Sequence, residues 1–347
     1  MRFPLTRIAP NDSVPIITST PARLNINRQT EHKYLTAVIP EACAGRRVDQ
    51  VLAEVFHQYS RSRLQQWIRE GRVRINGVSM RPRDKVVGGE MVEINALFTD
   101  ETPWEGEDLP LDIVYEDDAL LVINKPAGVV VHPAAGHHRG TLVNALLHHA
   151  PELAKVPRGG IVHRLDKDTS GLMVVARTLE SHTYLVEQIQ ARRVQREYQA
   201  LVYGEVVSGG RIEAPVGRHP VQRQRMAVTD TGKAAATQYR VLERFKGFTL
   251  IRAVLETGRT HQIRVHMAHI RHPVVGDPVY GRLRLPKGAD EGFAAVLRGF
   301  KRQALHADRL TLQHPVSGQP MQWLAELPDD ITRVVEALRA RTGRRVE

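Results

Sequence analysis

The segment His163-Arg164-Leu165-Asp166-Lys167-Asp168-Thr169-Ser170-Gly171 runs directly into Leu172-Met173-Val174-Val175-Ala176. Five consecutive apolar residues bounded by turn formers read as a strand buried in a sheet. The polar stretch ahead of it is then the loop that feeds the sheet. Within it, Asp168-Thr169-Ser170-Gly171 has the composition of a β-turn, with Asp first and Gly fourth. Asp168 therefore has a ready structural explanation. Asp166, flanked by Arg164, Lys167 and an apolar Leu165, has no simple turn role. Spacing alone leaves both carboxylates as candidates for chemistry.

Strand-like runs recur on both sides of this segment. Leu120 to Ile123 ends at Asn124-Lys125-Pro126, and Val129 to Val131 ends at His132-Pro133. Leu142 to Leu147 reads as a short helix, and Ala200 to Tyr203 and Thr249 to Leu255 as further strands. The elements lack the regular βαβ period of a doubly wound fold. The expectation is an α+β domain over 111–341: a large mixed, mainly antiparallel sheet with helices packed on it.

A second chemical segment is Gly258-Arg259-Thr260-His261-Gln262-Ile263-Arg264-Val265-His266. Thr260 is placed to cap a helix whose apolar stripe is Ile263, Met267 and Ile270. Arg259 then lies near a helix N-terminus, which attracts phosphate. Arg264 falls off the stripe. It is either a surface cation or the partner of a carboxylate, which it would keep ionised. In Arg196-Glu197-Tyr198-Gln199-Ala200, Tyr198 shares a strand face with Ala200 and Val202. That is ordinarily a core position, but aromatics are only 5% of the chain, and an enzyme that extrudes a base needs an aromatic platform.

Ahead of this domain lie three further regions. Residues 1–34, with four prolines and no sustained period, read as a disordered tail. Residues 35–98 form a compact unit: two amphipathic helices, the second ended by Gly71, then Val73-Arg74-Ile75 meeting Asn76-Gly77, a type I′ hairpin signal. Ser60 and Ser62 are the capping candidates of the second helix. Residues 60–85 hold eight basic residues, among them Arg61, Arg63 and Arg74, against only Glu70 and Asp84. Such density reads as an RNA-docking face. The acidic stretch 99–110 reads as a linker, and 342–347 as a basic C-terminal fray.

Composition narrows the class. The 347 residues suffice for about two domains. A net charge of +11 argues for a polyanionic partner. Cys43 is the only cysteine, which excludes an intramolecular disulfide framework and suits a reducing cytosol. With no apolar run long enough for a bilayer and no secretory leader pattern, the expected location is cytoplasmic, with no membrane contact. His261, His266, His269 and His272 do not follow a metal-ligand spacing. Asp168-Thr169-Ser170-Gly171 lacks the second loop that an aspartic protease needs. Phosphate-binding and dinucleotide motifs are absent from the sequence.

Residues 60–63 and 71–77 resemble the S4 RNA-binding domain. Together with Asn124-Lys125-Pro126-Ala127-Gly128, His163 to Gly171, Gly258 to His266, Gly276-Asp277-Pro278-Val279-Tyr280-Gly281 and Gln303 to Ala307, the chain resembles pseudouridine synthases of the RluA superfamily. The likeness is to the RluD type, which acts on 23S ribosomal RNA and carries an N-terminal S4 domain. The resemblance runs from about Lys33 to Leu338. It implies that Asp166 is the catalytic aspartate, Tyr198 the base-contacting tyrosine and Arg264 the arginine paired with the aspartate. It also implies that Arg164 wedges into the gap left by the extruded uridine. Arg196 departs from the lysine that many members carry, although the RluD type often has arginine there.

Isomerising uridine breaks a C–N bond and makes a C–C bond with no redox or phosphoryl step, so no metal or cofactor is expected. The expected partner is ribosomal RNA or a pre-50S particle, met by a monomer. Its phosphates would be contacted by Arg61, Arg63, Arg74, Arg164, Arg259 and by Arg218, Arg223 and Arg225 on a mobile loop. The resemblance points to clustered uridines of a hairpin at the intersubunit face. A synthase of the same class acting on transfer RNA, or an inactive RNA-binding assembly factor, are the competing readings.

Overall fold

The computed structural model describes residues 30–341, apart from 57–58, 60, 100–103, 133–138 and 223. Ser60, Arg223 and the 342–347 stretch therefore lie outside the described residues. The chain forms two compact units that divide after Pro103.

The first unit contains β1 (Thr30–Val38), α1 (Val48–Val55), α2 (Arg61–Arg69), β2 (Val73–Ile75), β3 (Val78–Ser79) and β4 (Met91–Thr99). Its antiparallel sheet has the order β1-β4-β2-β3. β1 opens at Thr30, inside the 1–34 stretch expected to be tail. Its alternation places Leu35 in the core while Tyr34 stays exposed. Asn76 and Gly77 both take positive φ, at 48° and 77°, as the tight hairpin demands. Leu35, Val51, Leu52, Leu64, Trp67 and Ile94 close the core between helices and sheet.

The second unit begins in β5 (Ile113–Glu116), β6 (Leu120–Lys125), α3 (Leu142–His149), β7 (Ser170–Ala176), α4 (Leu179–Gln190) and β8 (Gln195–Tyr203). It continues through β9 (Gly210–Glu213), β10 (Val216–Arg218), β11 (Met226–Val228), β12 (Ala236–Phe245), β13 (Phe248–Leu255) and α5 (Gln262–His269). α6 (Glu291–Gly299), β14 (Leu305–Gln313), β15 (Pro320–Leu324) and α7 (Asp329–Arg341) complete it. Nine strands form one sheet in the order β5-β6-β7-β14-β8-β13-β12-β9, with β15 on β14. The pairings are antiparallel except that β14 runs parallel to β7. β10 and β11 make a separate small ribbon.

β7 is buried at every residue. Met173 and Val175 join the main core with Leu146, Phe293 and Val334. Leu172 and Val174 join the opposite face with Leu185 and Trp323. This two-sided burial is why the strand reads as an unbroken apolar run. Gly171 has φ +116°, and a Cβ there would lie 2.3 Å from the Ala307 carbonyl oxygen. Only glycine lets β7 and β14 start this close together.

Two local expectations change. Val129 to Val131 is not a strand: the Val130 and Val131 carbonyls accept from Leu142 N and Val143 N, serving the start of α3 instead of a ladder. The acidic stretch 99–110 is not a free linker throughout. Trp104 packs on the main core, the Glu105 carbonyl accepts from Asn144 Nδ2, and Glu107 N donates to the Asn144 carbonyl.

Candidate active site

The loop before β7 is held by backbone contacts. Its turn is Asp166 to Thr169, closed by Thr169 N donating to the Asp166 carbonyl at 3.1 Å. The turn thus starts two residues earlier than the composition of 168–171 indicates, because Ser170 and Gly171 are already in the ladder. The buried Lys125 ammonium donates to the carbonyls of Lys167 (3.0 Å), Val129 (3.0 Å) and Pro126 (2.8 Å). Gly128 N also donates to the Lys167 carbonyl, and Gln303 Nε2 donates to Thr169 Oγ1. Burial lowers the Lys125 pKa to about 8 against the pull of Asp168 and Asp166.

This loop turns Asp166 into a cleft of about 500 Å³ that is also lined by Tyr198, His261 and Arg264. Asp168 does not line it. Arg264 donates from Nη1 to Asp166 Oδ2 at 2.9 Å. Its Nε and Nη2 clamp Asp277 Oδ2 and Oδ1 at 2.7 and 2.9 Å. Asp277 accepts in addition from Val279 N and Tyr280 N. Burial opposes charge on both partners, but Arg264 outweighs it and holds the Asp277 carboxyl below its ordinary value. Burial likewise works against the Arg264 cation, and Asp277 followed by Asp166 raises its pKa above the ordinary arginine value. Asp166 is therefore held by a guanidinium that cannot give up its proton.

α5 starts differently from the expectation. His261, not Thr260, is its N-cap, in the left-handed region at φ 57°. Such a backbone costs about 1–2 kcal/mol outside glycine. No side chain caps the helix; Gln262 instead ties down the approach to it, its Oε1 accepting from Arg259 N and Thr257 Oγ1. The His261 ring lies between Tyr280, whose hydroxyl is 2.8 Å from Nδ1, and Asp166 Oδ1, 3.8 Å from Nε2. Met226 N donates to that same hydroxyl, so the phenol proton is free to go to His261 Nδ1. Burial lowers the His261 pKa despite Asp166, favouring neutral imidazole with its proton on Nε2, toward the carboxylate. His266 and His272 serve structure, bonding Thr237 and Ala214 in one case and the Tyr203 carbonyl in the other.

Tyr198 is 5% exposed, and burial raises its pKa. Its hydroxyl has no hydrogen-bond partner among the described residues. Arg164 and Arg259 line the cleft with exposed side chains, and Arg259 Nε reaches the Ala234 carbonyl. Arg218 is exposed on β10. Arg225 is engaged: it lies over the Tyr280 ring and bonds the Val279 carbonyl and Gln222. In the first unit Arg61 is bound to the buried Asp49 at 2.7 Å, whereas Arg74 is exposed on β2 and Arg63 half-buried.

Sequence reasoning assigns no role to Asp277, His261, Arg158 or Arg192, all of which line the cleft or hold a side chain that does. The only local signal for Asp277 is an acid before proline ahead of two backbone amides, a pattern shared by many turns.

Comparison with known proteins is consistent across sequence and fold. A family model described as RNA pseudouridylate synthase matches residues 119–269, and one described as S4 domain matches 46–92. The chain is 56% identical over 312 residues to "Ribosomal large subunit pseudouridine synthase D" of Xanthomonas campestris pv. campestris, covering 90% of this chain and 94% of the relative. It is 56% identical over 308 residues to the protein of the same name from Escherichia coli strain K12, covering 88% and 94%. Among solved structures, "Human RNA Pseudouridylate Synthase Domain Containing 4" superposes with a TM-score of 0.53 at 25% identity. That match covers 66% of this chain and 93% of the human one.

Proposed function

The chain belongs to the RNA pseudouridylate synthase family and is an RNA pseudouridine synthase, and on that premise we propose that it isomerises uridines of large-subunit ribosomal RNA with Asp166 as the catalytic carboxylate. The observation that carries the reading is the Arg264 bridge between Asp166 and Asp277 in a cleft that also holds Tyr198. An ionised carboxylate facing a cleft can act as nucleophile or base in breaking the glycosidic bond and forming the bond to C5. Tyr198 offers an aromatic face to a base taken out of its stack. No step of this isomerisation calls on a metal or cofactor.

The substrate follows from the chemistry of the surfaces. A flipped base is cheapest to obtain from a loop, so clustered uridines of a hairpin suit the cleft. The relatives' names point to the large ribosomal subunit, and the resemblance points to the hairpin at its intersubunit face. The partner is then ribosomal RNA, free or in a pre-50S particle, contacted in the cytoplasm through the S4 arginines and the cleft arginines.

RNA carrying tritium at uridine C5 releases label to water as pseudouridine forms. Asp166→Asn is expected to cut that release by at least about 10²–10⁴-fold. Release at the normal rate would overturn the role of Asp166. Mapping pseudouridine after gene deletion tests the substrate: sites lost from transfer RNA alone would replace ribosomal RNA in the proposal.

A further inference from the structure

Arg196 stands apart from the other cationic side chains of the cleft. It lies on β8 two residues before Tyr198, on the same strand face, and is only 7% exposed. No carboxylate or hydrogen-bond acceptor engages its side chain among the described residues, and its Nε is shielded from water and unpartnered. Arg264, comparably buried, has two carboxylates. Glu256, the other acid of the cleft, is committed to Arg211 at 2.7 and 2.9 Å. A buried cation without an anion is an unfavourable arrangement, maintained where a ligand supplies the missing charge.

A second donor nearby is in the same state. His163 lines the cleft and accepts from Val174 N through Nε2 at 3.1 Å. Burial, helped by the Arg196 charge, pushes its pKa down to about 3, so the ring is neutral. With Nε2 an acceptor, the ring proton sits on Nδ1, which is buried and unpartnered. Two orphaned donors therefore meet one cleft, and no described residue offers either an acceptor. Gly258 is the gap in the wall: a Cβ there would come 2.9 Å from Arg196 Nη1.

We propose that Arg196, entered past Gly258 and backed by His163, is the subsite for a backbone phosphate of the RNA next to the uridine received by Tyr198. The proposal rests on the RNA substrate argued above and specifies one contact within it. A phosphate oxygen pair neutralises the guanidinium and accepts two parallel N–H bonds from it. A uracil carbonyl would accept a bond but leave the charge uncompensated.

The test uses the full chain carrying Asp166→Asn, so that RNA binds without turnover. Affinity for a fluorescein-labelled oligouridylate is measured by anisotropy across about 50–300 mM KCl, where each phosphate contact adds about 0.7 to the log–log salt slope. Arg196→Met is expected to weaken binding and reduce the slope by about 0.7. It should not lower the melting temperature, since it removes an unpaired buried charge. Arg196→Lys should keep the slope. Gly258→Ala, which displaces the guanidinium but keeps its charge, should weaken binding of the natural strand. A strand with a neutral methylphosphonate at the contacted linkage should bind the protein that retains Arg196 no better than it binds the Arg196→Met protein. An unchanged slope in Arg196→Met overturns the proposal. Joined to a lowered melting temperature, it would make Arg196 a structural residue. Joined to loss of turnover in the Asp166-containing protein, it would assign Arg196 to the base. Failure of the synthase reading shows separately, as absence of tritium release by the unmutated protein.

Discussion

Asp166 and Arg264, 98 residues apart in the chain, meet at 2.9 Å through Oδ2 and Nη1. The contact uses one nitrogen of a guanidinium whose Nε and Nη2 are held by Asp277, 2% exposed and itself bonded to two backbone amides. Asp277 therefore fixes the arginine, and the arginine fixes the carboxylate. One side chain buried between two acids sets both the charge and the aim of Asp166.

Replacing Arg264 tests that chain. Lysine cannot make the two-pronged contact and the third bond together. Arg264→Lys is expected to lower kcat by about 10²–10³-fold, the scale for losing one preorganised donor, with KM changing little. Arg264→Met leaves the Asp277 charge buried and uncompensated, costing about 3–5 kcal/mol in urea unfolding. Normal stability in Arg264→Met would mean that Asp277 finds another partner.

Tyr198 separates ring from hydroxyl. Because its hydroxyl has no partner among the described residues, Tyr198→Phe should stay within about 0.5 kcal/mol of the parent in stability. RNA binding should also be retained. Tyr198→Ala should lose about 1–3 kcal/mol of RNA binding through the missing platform. Equal binding by the alanine and phenylalanine proteins would show that no base stacks there.

Lys125 ties stability to alkaline pH. Its folded pKa of about 8 lies below the ordinary lysine value because burial disfavours the ammonium. Between about 8 and about 10.4 the unfolded chain binds the proton more strongly, so its contribution to stability rises with pH. Thermal melts should show that rise, and Lys125→Met should remove it. The same variant frees the Lys167 carbonyl from the ammonium, so tritium release should fall while RNA affinity is kept.

Asp49 gives the S4 unit an acid limit. Burial would raise its pKa, but Arg47, Arg61 and Gln65 hold it at about 2. The stabilisation is present above the ordinary aspartate value of about 3.9 and is lost as pH falls toward about 2. Asp49→Asn should abolish this component, read as the acid transition of the first unit. It follows that Arg61→Glu damages folding of the unit. Arg74→Glu on the exposed strand should instead reduce the salt slope of RNA binding with the fold intact. A stable Arg61→Glu protein would sink the distinction.

Signals that act over a few residues are legible in the sequence. The buried strand at 170–176 shows as an unbroken apolar run because both its faces are covered. The Asn76-Gly77 hairpin shows because its φ values suit few other residues. Where a residue had two local options, reading failed. Val129 to Val131 has strand composition, yet its carbonyls are taken by the start of α3. Thr260 has capping chemistry, yet His261 takes the N-cap position and Gln262 binds the loop amide of Arg259 ahead of the helix.

By itself the sequence determined the α+β class, the basic docking unit and the segments on which the chemistry falls. Periodicity, turn residues and charge density are short-range properties written in order along the chain. Residue spacing left Asp166 and Asp168 both open; the tertiary structure put Asp166 on the cleft, supplied Asp277 and His261, and left Arg196 buried without an anion. Those outcomes depend on β14 lying beside β7 and on α5 carrying Arg264 to the loop that feeds β7. Electrostatic partners are set by distance in space, and sequence separation says nothing about that until the sheet has been ordered.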